Sequence, residues 1–291
     1  MARIAYVNGR WLDQRHASVN IEDRGYQFGD GIYEVVHVHR GRFVDADRHL
    51  ARLDRSLRET RLAEPMPRAA LLLVMRELVR RNRVAEGLVY LQVTRGVSRR
   101  DHAFPRPEVP PALVMTVKRI PPYPASVDGW GAAAITLPDH RWARRDIKSV
   151  NLLPNVLARQ AAREAGAIEA ILYDEATGLV TEDAATSFWI VDRHGRLRTR
   201  RLGPEILPGC TREALIAELA AAGIAHEEGE FTLEETRQAQ EAFLTSATSF
   251  VKPILRLDDA SVGEGRVGPI TRRLFDLFAR HVQGGLRNAP G

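Results

Sequence analysis

Lysine is nearly absent from this chain: of 42 basic residues, Lys118, Lys148 and Lys252 are lysines and the other 39 are arginines. Arginine therefore serves wherever a generic positive charge suffices, and each remaining lysine raises the question of whether a guanidinium would fail in its place. A guanidinium stays protonated, whereas an amine can deprotonate and form a Schiff base with a carbonyl compound. Lys148 is the most pointed case. It lies in Asp146-Ile147-Lys148-Ser149-Val150-Asn151, just before a helical pattern, where a loop or strand end can aim an amine into a cleft. Two readings of it stay open, a Schiff-base nucleophile and a solvated or snorkelling side chain.

Other groups could do chemistry without declaring it. Glu182, in Leu179-Val180-Thr181-Glu182-Asp183, enters a strand after the turn Ala176-Thr177-Gly178, and reads as a charge partner or as an exposed strand-end carboxylate. Pro208-Gly209-Cys210-Thr211 opens a helix, where unpaired N–H groups, the helix dipole and a hydroxyl converge; that suits a phosphate and equally a simple N-cap. Thr245-Ser246-Ala247-Thr248-Ser249 gathers hydroxyls between two strands. His37 and His39 share a strand face, but no third ligand follows locally, so no metal is expected. A lone cysteine, Cys210, excludes an internal disulfide and a Cys-based zinc or iron–sulfur site. No GxSxG elbow supports serine catalysis and no GxxxxGK loop is present.

These groups need elements to hold them. Asn8-Gly9 between Ile4–Val7 and Arg10–Leu12 predicts a type I′ hairpin, and Arg40-Gly41 joins a second one, Val35–His39 with Arg42–Val44. Leucines at 50, 53 and 57 predict a helix over 46–62, and a second runs over 68–83. Strands are expected at Leu88–Thr94, Ala112–Lys118, Ala132–Leu137, Ala170–Tyr173, Thr186–Val191, Ala242–Thr245 and Val251–Leu257. Helices are expected at 152–165, 212–222, 234–240 and 270–282. The prolines of 121–126 stiffen an extended connection and mark the domain boundary.

Composition narrows the class. The chain has 291 residues, 44% hydrophobic, 27% charged and 7% aromatic, with 22 Gly and 16 Pro, which is the make-up of an ordinary globular protein of one large or two moderate domains. Residues 69–75 form the longest apolar run, far short of the roughly 20 residues of a membrane span. The first residues hold no apolar signal-peptide core, and the cytoplasm is the expected compartment. The net charge of +5 comes from interspersed charges without a long basic run, so a nucleic-acid-binding module is the disfavoured non-enzymatic reading.

Four blocks in order, Asp146–Leu153, Val180-Thr181-Glu182, Leu207–Arg212 and Leu244–Ser249, resemble fold type IV pyridoxal-phosphate enzymes, and the resemblance extends from Tyr6 to about the last helix. Within that class the chain looks most like a D-amino-acid aminotransferase. The resemblance implies that Lys148 forms the Schiff base with pyridoxal 5′-phosphate and that Glu182 meets the pyridine nitrogen. It implies that Arg52, Cys210, Thr211, Ser246 and Ala247 hold the phosphate, with Leu207 under the ring. Tyr33, Arg100 and His102 match the family's trap for the substrate carboxylate, Arg and His coming from the partner subunit. Ala247 stands where a second hydroxyl is common, and Asp183-Ala184-Ala185 replaces a Gly/Ser-rich stretch, which bears on substrate range.

The expectation is therefore an α+β, two-domain fold type IV enzyme. A small N-terminal α/β domain would span 1–121, and a larger mixed-sheet domain 127–283, with a linker at 122–126 and a tail at 284–291. The cofactor would lie between them and a homodimer would complete the site. The expected activity is transamination of D-amino acids with a 2-oxo acid such as 2-oxoglutarate. A branched-chain L-amino-acid aminotransferase, an (R)-amine transaminase and an aminodeoxychorismate lyase are the alternatives on the same fold. Arg100-Asp101-His102 favours the first reading, since an arginine fork binds a carboxylate that an amine substrate lacks.

Overall fold

The computed structural model describes residues 3–284. They form two compact units, 3–122 with 147–151, and 123–146 with 152–284. The chain crosses into the second unit within the Pro-rich connection, and the short segment Ile147–Asn151 returns to the first. Of the expected tail only Gly284 is described, where it closes the last helix; 285–291 lie outside the described residues.

The first unit contains β1 (Ile4–Val7), β2 (Arg10–Asp13), α1 (Arg24–Phe28), β3 (Gly31–His39), β4 (Arg42–Phe43), α2 (Ala46–Thr60), α3 (Arg68–Asn82), β5 (Gly87–Thr94) and β6 (Ala112–Arg119). The sheet order is β2-β1-β6-β5-β3-β4, antiparallel throughout. Asn8 and Gly9 both take positive φ, 46° and 86°, so the two-residue turn follows the strand twist as its sequence predicts. Register then decides which face is which. Ile32 pairs with Val93 and Val36 with Val89, while Val93, Leu91 and Val89 pair with Leu113, Met115 and Val117, so these side chains share one face. Leu50, Leu53 and Leu57 of α2 and Leu71, Met75 and Leu78 of α3 close over it in one buried cluster. Each such side chain contributes about 1.5–3 kcal/mol on burial. The opposite face carries Tyr33, Val35, Tyr90 and Gln92.

The second unit contains β7 (Ala132–Pro138), α4 (Leu153–Glu164), β8 (Glu169–Tyr173), β9 (Val180–Asp183), β10 (Ser187–Val191), β11 (Leu197–Arg200), α5 (Cys210–Ala221), β12 (Glu227–Gly229), α6 (Leu233–Arg237), β13 (Glu241–Ser246), β14 (Phe250–Leu257), β15 (Ala260–Ser261) and α7 (Pro269–Gly284). Its sheet is mixed, β12-β11-β10-β13-β14-β7-β8-β9 with β15 on β14; β7 runs parallel to both β8 and β14. Alanines 158 and 162 of α4 meet Ala170, Leu172 and Ala184, and these small side chains let the helix lie close on β8. Phe188, Ile190, Phe231, Leu244 and Ile254 form a second buried cluster. Buried β11, Leu-Arg-Thr-Arg, carries no apolar alternation; Arg198 is neutralised by Glu235 at 2.7 Å and Glu227 at 3.3 Å, and Arg200 reaches Glu230 at 3.3 Å.

Candidate active site

In the first unit, Lys148 is placed by backbone pairing. Segment 147–150 joins the edge of β3: the Tyr33 amide donates to the Lys148 carbonyl at 3.0 Å and the Val150 amide to the Gly31 carbonyl at 3.0 Å, with Ser149 bridging Ile32. Ile147 sinks into the core beside this edge, and Asn151 fixes the other end by donating to the Gly29 carbonyl at 3.3 Å. Gly29 has φ 67°, and a Cβ there would sit 2.3 Å from the Asn151 carboxamide oxygen, so both its conformation and its lack of a side chain are used. Lys148 Nζ lies 4.3 Å from the centre of the Tyr33 ring, and among the described residues it makes no ion pair. Tyr33 in turn tilts against Tyr90 at 5.7 Å. The Tyr90 hydroxyl donates to Gln92 at 2.6 Å, and burial, with Tyr33 beside it, pushes its pKa up to about 12.

Arg52 comes from α2. Its Nε and Nη2 donate to the two oxygens of Glu34, each at 2.7 Å, and His49 Nδ1 lies 2.8 Å from Glu34 Oε2. By strand alternation Glu34 faces away from Tyr33, so the structure puts this Arg52 pair on the core face of β3. Glu34 and His49 were not singled out by sequence, although a glutamate among Ile32, Val36 and Val38 on one strand face is a visible break in pattern. Full burial alone raises a carboxyl pKa, but Arg52 and then His49 outweigh it and hold Glu34 down to about 2. A depressed carboxyl stabilises the fold above its ordinary value of 4.5 and ceases to as pH falls to about 2. Glu34→Gln is therefore expected to lower stability at neutral pH by an amount on the order of 3 kcal/mol that shrinks across that window. Urea unfolding of both proteins from pH 6 to about 2 measures it; a gap independent of pH would contradict the assignment.

Arg100 and His102 are exposed, and both lie over Phe28 of α1: the Arg100 guanidinium carbon is 4.6 Å from its centre and the His102 ring 5.3 Å. Buried Arg24 donates to the Asp101 carbonyl at 2.5 Å and the His102 carbonyl at 3.3 Å, and Asp30 holds Arg24 at 2.9 Å. Asp101 accepts from the Ala103 amide at 3.0 Å within its own loop. Arg24 thus ties this loop to α1 across contacts distant in sequence, which no local pattern marks.

In the second unit, Glu182 is buried on β9, not exposed at a strand end. The Leu207 amide donates to both its oxygens, at 3.2 and 3.1 Å, and Arg141 Nη1 donates to Oε1. Burial nonetheless pushes Glu182 above the usual carboxylate range, with Arg141 and the Leu207 N–H pulling the other way. Arg141 also binds Asp139 in a fork, at 2.9 and 2.7 Å, and Asp139 accepts from Thr181 Oγ1 at 2.6 Å. Nothing in the sequence separated Arg141 from its neighbours Arg144 and Arg145.

Cys210 and Thr211 are buried in the first turn of α5, which has no side-chain cap. Gly209 precedes them, and a Cβ there would come 2.5 Å from Ser187 Oγ, so the helix start is pressed onto β10. Ser246 Oγ, at the end of β13, lies 2.9 Å from both Thr248 Oγ1 and Ser249 Oγ, and accepts from the amides of both residues at 3.3 and 3.2 Å; Ala247 sits between them in the turn. Backbone N–H groups of a helix N-terminus and a knot of hydroxyls are the donor types a phosphate takes. Among the described residues no group of side chains suited to a metal ion occurs, and no helix is long and apolar enough to cross a membrane.

The model of the amino-transferase class IV family matches residues 31–257. This chain belongs to that family. The aminotransferase is 38% identical over 279 residues to the D-alanine aminotransferase of Staphylococcus haemolyticus, covering 96% of this chain and 97% of that one. Its fold is similar to the branched-chain amino acid aminotransferase from Escherichia coli, with a TM-score of 0.88 at 22% identity over 100% and 98% of the two chains. It is also similar to a hypothetical aminotransferase from Mycobacterium tuberculosis in its PLP-bound form, with a TM-score of 0.80 at 22% identity over 97% and 99%.

Proposed function

We propose that this aminotransferase moves the amino group of D-amino acids to a 2-oxo acid such as 2-oxoglutarate, with pyridoxal 5′-phosphate as its cofactor. The observation that carries this reading is the 38% identity over 96% of the chain with a D-alanine aminotransferase. The residues present fit the cofactor. The start of α5 at Cys210 and Thr211, with Ser246 and Ala247, suits its phosphate. The amine of Lys148 suits its aldehyde, a buried carboxylate at Glu182 suits its ring nitrogen, and Leu207, whose amide fixes Glu182, would lie under the ring.

When bound, pyridoxal phosphate supplies an electron sink that acidifies the hydrogen on the substrate Cα. Lys148 is the base that takes this proton, because an amine can be neutral near pH 7 and a guanidinium cannot. Tyr33, whose ring already lies against Lys148 Nζ, supports the amine and one side of the substrate. Arg100 binds the substrate carboxylate through its fork and His102 assists it. Both are exposed on a loop anchored by Arg24, so they are presented outward, and a second copy of this chain is the partner that takes them into its site. The working form is then a homodimer. We assign it to the cytoplasm.

Arg100→Ala is expected to raise KM for D-alanine or D-glutamate about ten-fold or more, the worth of a charge-assisted contact. Steady-state assays with both enantiomers measure it. An unchanged KM, or a wild type that prefers L-valine or L-leucine to every D-amino acid, would move the assignment to the branched-chain alternative. Mixing Lys148→Ala and Arg100→Ala copies tests the dimer. If Arg100 acts on the partner, hybrids hold one complete site and regain the low KM; if it acts within its own chain, they do not.

A further inference from the structure

Glu182 poses an electrostatic problem that its immediate surroundings worsen. Three more carboxylates crowd it: Asp139 from the loop after β7, whose side chain is enclosed, and the buried Glu169 from β8 and Asp183 beside it on β9. Glu169 is paired with Arg159 of α4 at 2.8 Å, and Asp183 accepts from Thr186 Oγ1 while its Oδ1 has no partner among the described residues. Desolvation and like charge both favour the neutral acid at Glu182. The opposing groups are few. Among the described residues, Glu182 accepts from one side chain, Arg141, and from one amide, that of Leu207.

Arg141 is not loosely placed. A guanidinium is planar, and two of its nitrogens are committed to Asp139, at 2.9 and 2.7 Å. Asp139 is itself fixed by Thr181 Oγ1 at 2.6 Å and approached by Arg145 at 3.3 Å. Burial, which alone would raise Asp139, is outweighed by Arg141, so Asp139 stays a charged anchor below the ordinary range. With that fork in place the direction of Nη1 is set, and it meets Glu182 Oε1. Glu182 Oε2 accepts from the Leu207 amide alone, at 3.1 Å, and keeps acceptor capacity.

From this network we propose that Arg141, anchored by Asp139, is a positioning residue of the transamination: it holds Glu182 as an oriented carboxylate, one oxygen occupied by the guanidinium and the other left for the ring nitrogen. The proposal rests on the reading of Glu182 as the partner of that nitrogen. It makes Arg141→Gln resemble Glu182→Gln without touching Glu182. Arg141→Lys keeps a charge but cannot span both carboxylates, so it restores part of the effect.

Two measurements test this. The first is the carboxyl 13C titration of Glu182 in cofactor-free protein, assigned by difference from Glu182→Gln. Wild type is expected to titrate at lower pH than Arg141→Gln, with Arg141→Lys between them; superimposed curves would overturn the proposal. The second is a double-mutant cycle on kcat and on the pH dependence of the bound cofactor's visible band. Arg141→Gln should cut kcat about ten-fold or more and make the band change with pH near neutrality. In a Glu182→Gln background it should do neither. Additive losses would show that Arg141 acts independently of Glu182 and overturn the proposal. If Glu182→Gln alone leaves kcat and spectrum unchanged, the ring-nitrogen role fails instead, and the apoprotein titration still reports whether Arg141 governs Glu182.

Discussion

Lys148→Ala is expected to yield a folded protein that holds pyridoxal phosphate weakly and has lost turnover by 10²–10⁴-fold, the range for removing a positioned base. Folding should survive because segment 147–150 is tied to β3 through main-chain bonds at the Lys148 carbonyl and the Val150 amide, which the substitution leaves in place. Ile147, not Lys148, carries its burial. Lys148→Arg should fail equally, because a guanidinium neither attaches to the cofactor nor releases a proton near neutral pH. Gel filtration, cofactor titration and single-turnover assays on the two variants separate these effects. Near-wild-type transamination in either variant would remove Lys148 from the mechanism.

The second large effect is expected at Glu182. An amide there preserves shape and can still accept from the Leu207 amide, but it carries no charge to keep a ring nitrogen protonated. Glu182→Gln should therefore cut kcat on the order of 10²-fold while the cofactor remains attached to Lys148, the cost typical of deleting one preorganised electrostatic partner. The same substitution relieves the crowding with Asp139, Glu169 and Asp183, so cofactor-free stability should not fall in step with activity. An unchanged kcat with an unchanged cofactor spectrum would show that Glu182 is a structural carboxylate only.

Much of the framework was legible because it follows from local rules. Asn8-Gly9 and Arg40-Gly41 turn where they must, and the leucine spacing of α2 survives intact. What stayed hidden depended on partners distant in sequence. β11 reads as polar because Arg198 and Arg200 are neutralised from Glu227, Glu230 and Glu235. α1, five residues long, is too short to show a period. At the site, lysine scarcity marked Lys148, but no local signal could reveal that 147–150 would leave the second unit to line β3 in the first. Glu182 carried no mark of burial, and Arg141 was one arginine among 39. Arg52 was assigned by resemblance to a phosphate; its fork onto Glu34 required knowing that Glu34 faces α2.

The half-reaction isolates amino transfer from D-amino acids to the cofactor. Purified holoprotein, mixed with D-alanine in the absence of any 2-oxo acid, is followed by its visible band and by the 2-oxo acid released. Bleaching of the band is expected with about one equivalent of pyruvate per chain, since each chain carries one Lys148, and no comparable change with L-alanine or L-leucine. Bleaching by the L-amino acids in preference to D-alanine would contradict the assigned handedness, and a protein that takes up no cofactor and releases no 2-oxo acid from either enantiomer would contradict the assigned chemistry.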